Sequence, residues 1–273
     1  MATFDRTRLR HPRDNAFDDV LHRHVAEELA ERLSFVQRRF ETGLICGPAS
    51  AGQRDIWRQM PTRWIYASPA PFGCEDVVCD IGLPFCRTFP IVVSQNALHL
   101  NDDPVRALGE LRGALVPDGL FLGAAAAHGT LDELADSLLR AEAELTGGAA
   151  ARVAPFAALR TWGDALARAG FALPVADEIR VVLRYSDLAG LLRDLGGIGG
   201  RGVLAQRRPA HRRLFERAEA IYRERHADPD GRLRATFVFA CLSGWAPDPS
   251  QQKPARRGSA SVRLADALKD FGG

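Results

Sequence analysis

The strongest indication of fold class in this 273-residue chain is the sequence GLICGPASAG at residues 43–52. Its apolar first half ends at Gly47 and predicts a short buried strand. Pro48 to Gly52 predict a tight turn, and residues 53–60 predict a short helix. A buried strand, a small-residue turn and a helix in this order are typical of the first unit of an α/β sheet.

The segments on either side of this stretch continue the same alternation. Apolar residues recur at helical spacing over residues 18–40, which predicts an amphipathic helix before the first strand. Further strands are predicted at residues 63–67, 77–79, 89–94 and 120–126, with a helix at 103–115 that Pro117-Asp118-Gly119 should end. Short apolar strands that alternate with helices indicate a mostly parallel sheet covered on both faces.

The second half of the sequence predicts more helix. Helices are expected at residues 131–145, 159–169, 187–195 and 211–225, and strands at 171–184 and 234–242. We interpret the chain as one domain: an N-terminal helical region (1–40), a cofactor-binding half (41–130), cap helices with the last two strands (131–245) and an irregular tail (246–273). The glycine-rich stretch at 196–202 follows a helix and not a strand, so we reject a nucleotide-binding loop there.

Composition excludes several classes of function. The 36 basic and 34 acidic residues nearly balance at a formal charge of +2, which gives no argument for a nucleic-acid partner. The five cysteines lack zinc-binding spacing, so we expect reduced thiols and no metal. The N-terminus lacks the apolar region of a signal peptide, and no apolar run is long enough to span a bilayer. We therefore expect a cytoplasmic protein without an integral membrane segment.

Eight short segments resemble one known family and together run nearly the whole length of the chain. They are FDR (4–6), DIGLPF (80–85), SQNALHL (94–100), LVPDGLF (115–121), RVAPF (152–156), AGF (169–171), GWAP (244–247) and SQQ (250–252). The chain resembles class I S-adenosylmethionine-dependent methyltransferases. Within them it is most similar to the group of the biotin-synthesis malonyl-carrier-protein methyltransferase and the mitochondrial complex I assembly factor that hydroxylates arginine.

The resemblance implies a Rossmann-like class I methyltransferase fold, with a seven-stranded, mostly parallel sheet and helical cap insertions. It implies S-adenosylmethionine as cofactor and a small-molecule or protein acceptor for the methyl group. Two alternatives stay open. One is a catalytically degenerate relative that acts as a binding or respiratory complex I assembly protein; the other is a protein arginine hydroxylase that uses the same cofactor.

The resemblance also implies where the cofactor binds, with two departures from the family pattern. Gly47 matches the first glycine of the cofactor loop, but Ala49 and Ala51 stand at the next two glycine positions, and Ile45 replaces an acid. Ser68 occupies the end of the second strand, where the family has an acid for the ribose hydroxyls. A simple strand-to-helix turn that no longer binds a cofactor is the alternative for this loop.

The remaining candidate site residues follow the third and fourth strands. Asp80 matches the acid that meets the adenine amino group, and Ile81 is assigned to the cofactor site beside it. Asp80 in a turn-forming role is the alternative. Ser94 and Gln95, followed by Asn96, end the fourth strand, where family members meet cofactor or substrate. His99 is the candidate general base, because its pKa suits proton transfer near neutrality; simple packing on the next helix is the alternative. An NAD site at the Gly47 turn is disfavoured, because the turn lacks the full glycine fingerprint and a following acid.

Overall fold

A seven-stranded sheet organises the chain in the computed structural model, which describes residues 3–5, 20–47, 50–69, 75–79, 82–148, 150–197, 200–206 and 209–252. The strands are β1 (Thr42–Cys46), β2 (Arg63–Ser68), β3 (Val77–Val78), β4 (Phe89–Gln95), β5 (Leu115–Ala126), β6 (Ala172–Tyr185) and β7 (Leu233–Trp245). Their order in the sheet is β3-β2-β1-β4-β5-β7-β6. Strands β1 to β5 pair in parallel, and β7 lies antiparallel between β5 and β6. The predicted seven-stranded, mostly parallel sheet is confirmed.

Within the described ranges, seven α-helices cover this sheet. They are α1 (Val20–Ser34), α2 (Ala51–Arg58), α3 (Pro104–Ala114), α4 (Asp132–Thr146), α5 (Leu159–Arg168), α6 (Leu188–Gly197) and α7 (Arg212–His226), and a short 3-10 helix spans Leu98–Leu100. Every predicted helix is present within the described residues. Helix α4 packs against α7, and an ion pair between Arg217 and Glu144 joins them on the surface.

The two faces of the sheet bury two separate apolar clusters. In β1, Ile45 packs toward α1 and α2, whereas Leu44 packs with α3 and α5. In β4, Val93 packs in the same cluster as Ile45, and Val92 packs in the same cluster as Leu44. Alternate residues of a strand point to opposite faces, so a central strand covered on both sides is apolar throughout. This explains the continuous apolar runs of the sequence.

Local sequence determines where helices α2 and α3 begin. Ser50 caps α2: its hydroxyl accepts from the backbone N–H of Gln53, and the Gln53 side chain accepts from the Ser50 N–H, which forms a capping box. Asp103 caps α3 in a similar way, with Pro104 in the first turn. These caps satisfy backbone N–H groups at the sheet edge where the parallel strands end.

Two predicted boundaries are wrong. The helix predicted over 18–40 ends at Ser34, and Phe40 is buried in the loop that follows, where its own carbonyl accepts from the Thr62 hydroxyl. The strand predicted from residue 120 begins at Leu115, directly after the helix, but it is irregular there: Leu115 pairs with Phe89, Leu120 pairs with Ile91, and Asp118 has a φ of +58°. Ala246 pairs with this segment, because the Asp118 N–H donates to the Ala246 carbonyl and the Ala246 N–H donates to the Gly119 carbonyl. The predicted helix breaker thus forms an irregularity inside an extended strand.

The same region joins two of the segments that carry the family resemblance. The Gln251 side-chain amide donates to the Asp118 carboxylate and to the Ala246 carbonyl, each at 2.8 Å. The SQQ motif of the tail therefore fastens the LVPDG segment at the start of β5.

Candidate functional site

A crevice opens at the carboxyl ends of β1, β2, β3 and β4, on the face that α3 covers. Its walls are mostly apolar, and they include Ala67, Pro69, Leu83, Ala97, Leu98 and Leu111. Its polar or sulfur-bearing side chains are Cys46, Cys79, Ser94, Asn101 and Glu110. Ligands of open parallel α/β sheets bind at this edge, beside the point where the strand order reverses. Here that point lies between β1 and β4.

Gly47 forms the turn that leads out of β1 at the centre of this crevice. Its φ of +125° lies in the left-handed region, and a Cβ built there would stand 2.1 Å from the Gln95 carbonyl oxygen. Its N–H donates to the Ala67 carbonyl at 2.9 Å. Only glycine combines this dihedral angle with so close an approach to a neighbouring strand. The predicted importance of Gly47 for the turn therefore has a physical basis.

Gln95 and Asn96 follow at the end of β4, and both side chains are buried. Gln95 is fully buried; its Oε1 accepts from the Gln53 side chain at 3.4 Å, while its Nε2 has no hydrogen-bond partner among the described residues. Asn96 is 6% exposed, and neither amide atom has a partner there. Buried amides without partners are rare and costly.

The backbone of Asn96 adds a second unusual feature. Its φ is +50°, in the left-handed region, and its N–H donates to the Ala124 carbonyl of β5 at 3.1 Å. Strained residues and unpaired buried polar groups concentrate at binding sites. Gln95 and Asn96, which we call the amide pair, thus offer two N–H donors and one carbonyl acceptor that a ligand would satisfy.

Ser68 ends β2 and is 1% exposed. It is absent from the crevice lining, which Ala67 and Pro69 provide on either side of it. Alternate residues of a strand face opposite sides of the sheet. Ala67 faces α3, so Ser68 points to the opposite side. The predicted role of Ser68 toward the ribose stays a prediction, while Ser94 does line the crevice as predicted.

His99 lies in the 3-10 helix and is half-buried. Its ring packs edge to face against Phe156, with ring centroids 5.8 Å apart. It is not one of the described residues that line the crevice. Catalysis by His99 stays a prediction. The alternative, a packing role, is supported by the contact with Phe156.

Three predicted cofactor residues, Ala49, Asp80 and Ile81, lie outside the described residues. Ala51 is the first residue of α2. The predicted loop therefore does lead from β1 into a helix start.

The structure adds two features that sequence reasoning missed. Glu110 of α3 lines the crevice, although an acid at an ordinary helical position gives no signal in a sequence. The Cys46 thiol also faces it, and burial, with a smaller contribution from Cys79, raises its pKa far above the usual range. Cys46 thus stays a neutral, apolar group in the wall.

A second cavity of about 520 Å³ lies beyond the end of β5. Its lining includes four acids, Asp132, Glu133, Asp136 and Glu178, together with Arg180, His128 and His226. Asp136 accepts from Arg140, Arg225 and His226. Burial raises the pKa of Asp136, but hydrogen bonds from His226, Arg140 and Arg225 outweigh it and lower the pKa to about 2.

The described residues offer groups for two of the three parts of S-adenosylmethionine. The Gly47 turn lines the crevice, and the unpartnered amide pair, which lies beside that turn but outside the described lining, offers donors and an acceptor for the zwitterionic amino-acid end. The apolar walls suit a planar base. No acid stands at the end of β2 for the ribose. Within the described ranges, no three His, Cys, Asp or Glu side chains converge as a metal ion would need.

Sheet order, the glycine turn after β1 and the crevice define a class I methyltransferase fold. Comparison with solved structures agrees: a Bacillus halodurans protein assigned as a methyltransferase superposes with a TM-score of 0.53 at 14% identity, over 81% of this chain and 99% of that one. No protein-family model matches the sequence.

Sequence comparison identifies the family. The zebrafish mitochondrial arginine-hydroxylase NDUFAF5 is 33% identical over 290 residues, covering 98% of this chain and 90% of that protein. A malonyl-[acyl-carrier protein] O-methyltransferase of Methylovorus is 30% identical over 256 residues, covering 84% and 83%. The mouse NDUFAF5 protein matches over only 55% of its own length. The chain belongs to the family of class I S-adenosylmethionine-dependent methyltransferase homologues that contains NDUFAF5 and these O-methyltransferases.

No helix among the described residues has both the length and the apolar character needed to cross a bilayer. The NDUFAF5 relatives are described as mitochondrial, and the predicted cytoplasmic location stays a prediction.

Proposed function

We propose that this chain binds S-adenosylmethionine in the crevice and transfers its methyl group to a small-molecule or protein acceptor. The single observation that carries the proposal is the amide pair beside the Gly47 turn, because its buried donors and acceptor lack partners at the edge where this fold binds ligands.

The cofactor supplies a methyl group that is already activated by a sulfonium charge, so the protein needs no nucleophile or metal of its own. The residues of the chain have three tasks. The Gln95 and Asn96 amides hold the amino-acid end, Leu83, Leu98 and Leu111 enclose the base, and these apolar walls keep water from the reacting atoms of a bound ligand. His99 is the proposed base for an acceptor that must lose a proton.

Incubation of the purified protein with S-adenosylmethionine labelled in its methyl group, together with an extract of its own cells, tests this function. We expect label in a protein or metabolite fraction, and loss of that label with the variant Asn96→Gly. Label in no fraction, from protein that is folded by circular dichroism, would overturn methyl transfer.

Arginine hydroxylation of a partner protein is a second candidate. It is favoured by the zebrafish relative, an arginine-hydroxylase whose similarity extends over 98% of this chain. In the second cavity, Glu178 already pairs with Arg180, and Asp136 pairs with Arg140 and Arg225, so Asp132 and Glu133 are the acids that a guanidinium group would meet. Mass spectrometry of co-purified proteins separates the two candidates, because methylation adds a methylene and hydroxylation adds one oxygen to the modified residue.

A non-catalytic role is the third candidate, in which the chain binds a respiratory complex subunit and assists its assembly. The altered loop residues Ala49 and Ala51 and the missing acid at Ser68 motivate it. Affinity purification that recovers a stable respiratory partner, from a protein that binds no cofactor, would favour this role over both enzymatic ones.

A further inference from the structure

Glu110 is the one charged side chain among the described residues that line the crevice. Around it the wall is built from Leu83, Leu98 and Leu111. The Glu110 side chain is partly exposed, so its carboxylate keeps some contact with water. A ligand that fills the crevice and brings a donor of its own would replace that water with a charge-assisted hydrogen bond.

The carboxylate is held in place from two sides. Its Oε2 accepts from the Gly82 backbone N–H at 2.6 Å, and its Oε1 accepts from the Arg106 Nε at 3.1 Å. The side chain is 24% exposed. Since neither hydrogen bond depends on a ligand, the acceptor is oriented before anything binds, and little conformational entropy would be lost on binding.

An ionised carboxylate has about four acceptor positions, of which these two bonds occupy two. The remaining capacity is available to a group inside the crevice. Ser94 and Asn101 are the other polar oxygen-bearing side chains of the lining, and both are neutral. Glu110 is therefore the strongest acceptor that the described lining offers.

We propose that Glu110 accepts a hydrogen bond from the nucleoside of S-adenosylmethionine. The donor is either the exocyclic amine of the adenine or a ribose hydroxyl. This inference rests on the proposed function, and it assigns to α3 an anionic anchor that the end of β2 lacks.

Isothermal titration with three ligands tests the assignment and separates the two donors. The ligands are S-adenosylhomocysteine, its 6-deamino analogue with an unsubstituted purine base, which lacks the amine, and the 2′,3′-dideoxy analogue, which lacks the ribose hydroxyls. Glu110→Gln should weaken S-adenosylhomocysteine binding about fivefold to tenfold, since a neutral acceptor bonds more weakly than a charged one. Glu110→Ala should weaken it roughly tenfold to a hundredfold.

The analogue that lacks the bonded donor should bind wild type and Glu110→Gln with the same affinity. Equal loss for all three ligands, or no loss for any, would overturn the assignment. Because Glu110→Gln keeps an oxygen for the Gly82 N–H, it carries the test if Glu110→Ala fails to fold. Failure of the wild type to bind S-adenosylhomocysteine would instead overturn the proposed function.

Asp103→Asn is the matched control. It removes a negative charge at the exposed start of α3 but keeps an oxygen that can accept from the Arg106 backbone N–H and cap the helix. Asp103 is not among the described lining residues, so we expect affinities within about twofold of wild type. A loss as large as that of Glu110→Gln would mean that any loss of negative charge on α3 weakens binding, which contradicts a direct bond to the nucleoside.

Discussion

Gly47 and Gln95 lie so close together that a Cβ on residue 47 would stand 2.1 Å from the Gln95 carbonyl oxygen. This contact joins the turn after β1 to the end of β4, and it brings the Gln95 side chain beside the start of α2. Strands β1 and β4, between which the strand order reverses, are therefore in close contact at the crevice. Changes at residue 47 should affect both stability and ligand binding.

Gly47→Ala should damage the crevice. Alanine would have to keep a φ of +125° and push the Gln95 carbonyl away. We expect a loss of about 1–3 kcal/mol in the free energy of unfolding, the usual cost of such strain. Displacement of the turn should also weaken S-adenosylhomocysteine binding at least about tenfold. Urea unfolding and titration calorimetry measure the two effects.

Gly109→Ala is the control for this substitution. Gly109 lies within α3, and a Cβ there would meet no atom within 4 Å. Alanine should stabilise the helix by about 0.5–1 kcal/mol and leave binding unchanged. Equal effects of the two substitutions would contradict the account of the turn.

Asn96→Gly should separate stability from binding. Glycine accepts a φ of +50° without strain and removes two buried amide atoms that lack partners. We therefore expect a free protein as stable as wild type, or more stable by about 1 kcal/mol. The stabilisation that S-adenosylhomocysteine gives in thermal unfolding should fall sharply.

The neighbouring Asn101 gives the contrast, because its amide already donates to the Ala97 and Leu98 carbonyls. Asn101→Ala should destabilise the free protein by about 1 kcal/mol. If Asn96→Gly instead destabilised the free protein and left binding intact, the amide pair would have a purely structural role.

The ion pair between Arg152 and Glu142 should matter for stability. Their side chains are 15% and 5% exposed, and Glu142 also accepts from the Ala150 N–H. Arg152→Met leaves a buried carboxylate without its cation, which costs about 3–5 kcal/mol. Arg212→Ala, which breaks the exposed pair with Glu216, should cost less than about 0.5 kcal/mol. If chemical unfolding gave similar losses of stability for Arg152→Met and Arg212→Ala, burial would not be the reason why the first ion pair matters.

Asp136 should make stability depend on pH in the acid range. Its pKa is about 2 in the folded protein, below that of an unfolded Asp at about 3.9. A lowered pKa stabilises the fold above the unfolded value, and that stabilisation is lost as pH falls from about 4 to about 2. Asp136→Asn should therefore be less stable than wild type at pH 6 and equal to it near pH 2. A difference that persists at the lower pH would exclude ionisation as the cause.

The sequence predicted the order of elements well, because apolar runs and amphipathic helices follow directly from burial on two faces of a sheet. It also identified Gly47 and the end of β4, where special residues follow strands. The start of β5 was predicted at residue 120 but lies at Leu115, since pairing with Ala246, far along the chain, holds residues 118 and 119 in the strand. Such contacts have no local signature.

The site was predicted less completely than the fold. Periodicity cannot tell that Ser68 turns away from the crevice lining while Ala67 faces it, because this depends on the register of β2. Nor can it tell that Glu110 of α3 reaches the crevice, since that depends on how the helix lies across β4. Both facts require the assembled sheet.

Titration of the purified wild-type protein with S-adenosylmethionine and S-adenosylhomocysteine is the decisive test of cofactor binding. We expect micromolar binding of both ligands, with Gly47→Ala and Asn96→Gly much weaker. Absence of binding at millimolar ligand, by protein that is folded and monodisperse, would exclude a cofactor-dependent activity and leave the assembly role as the remaining candidate.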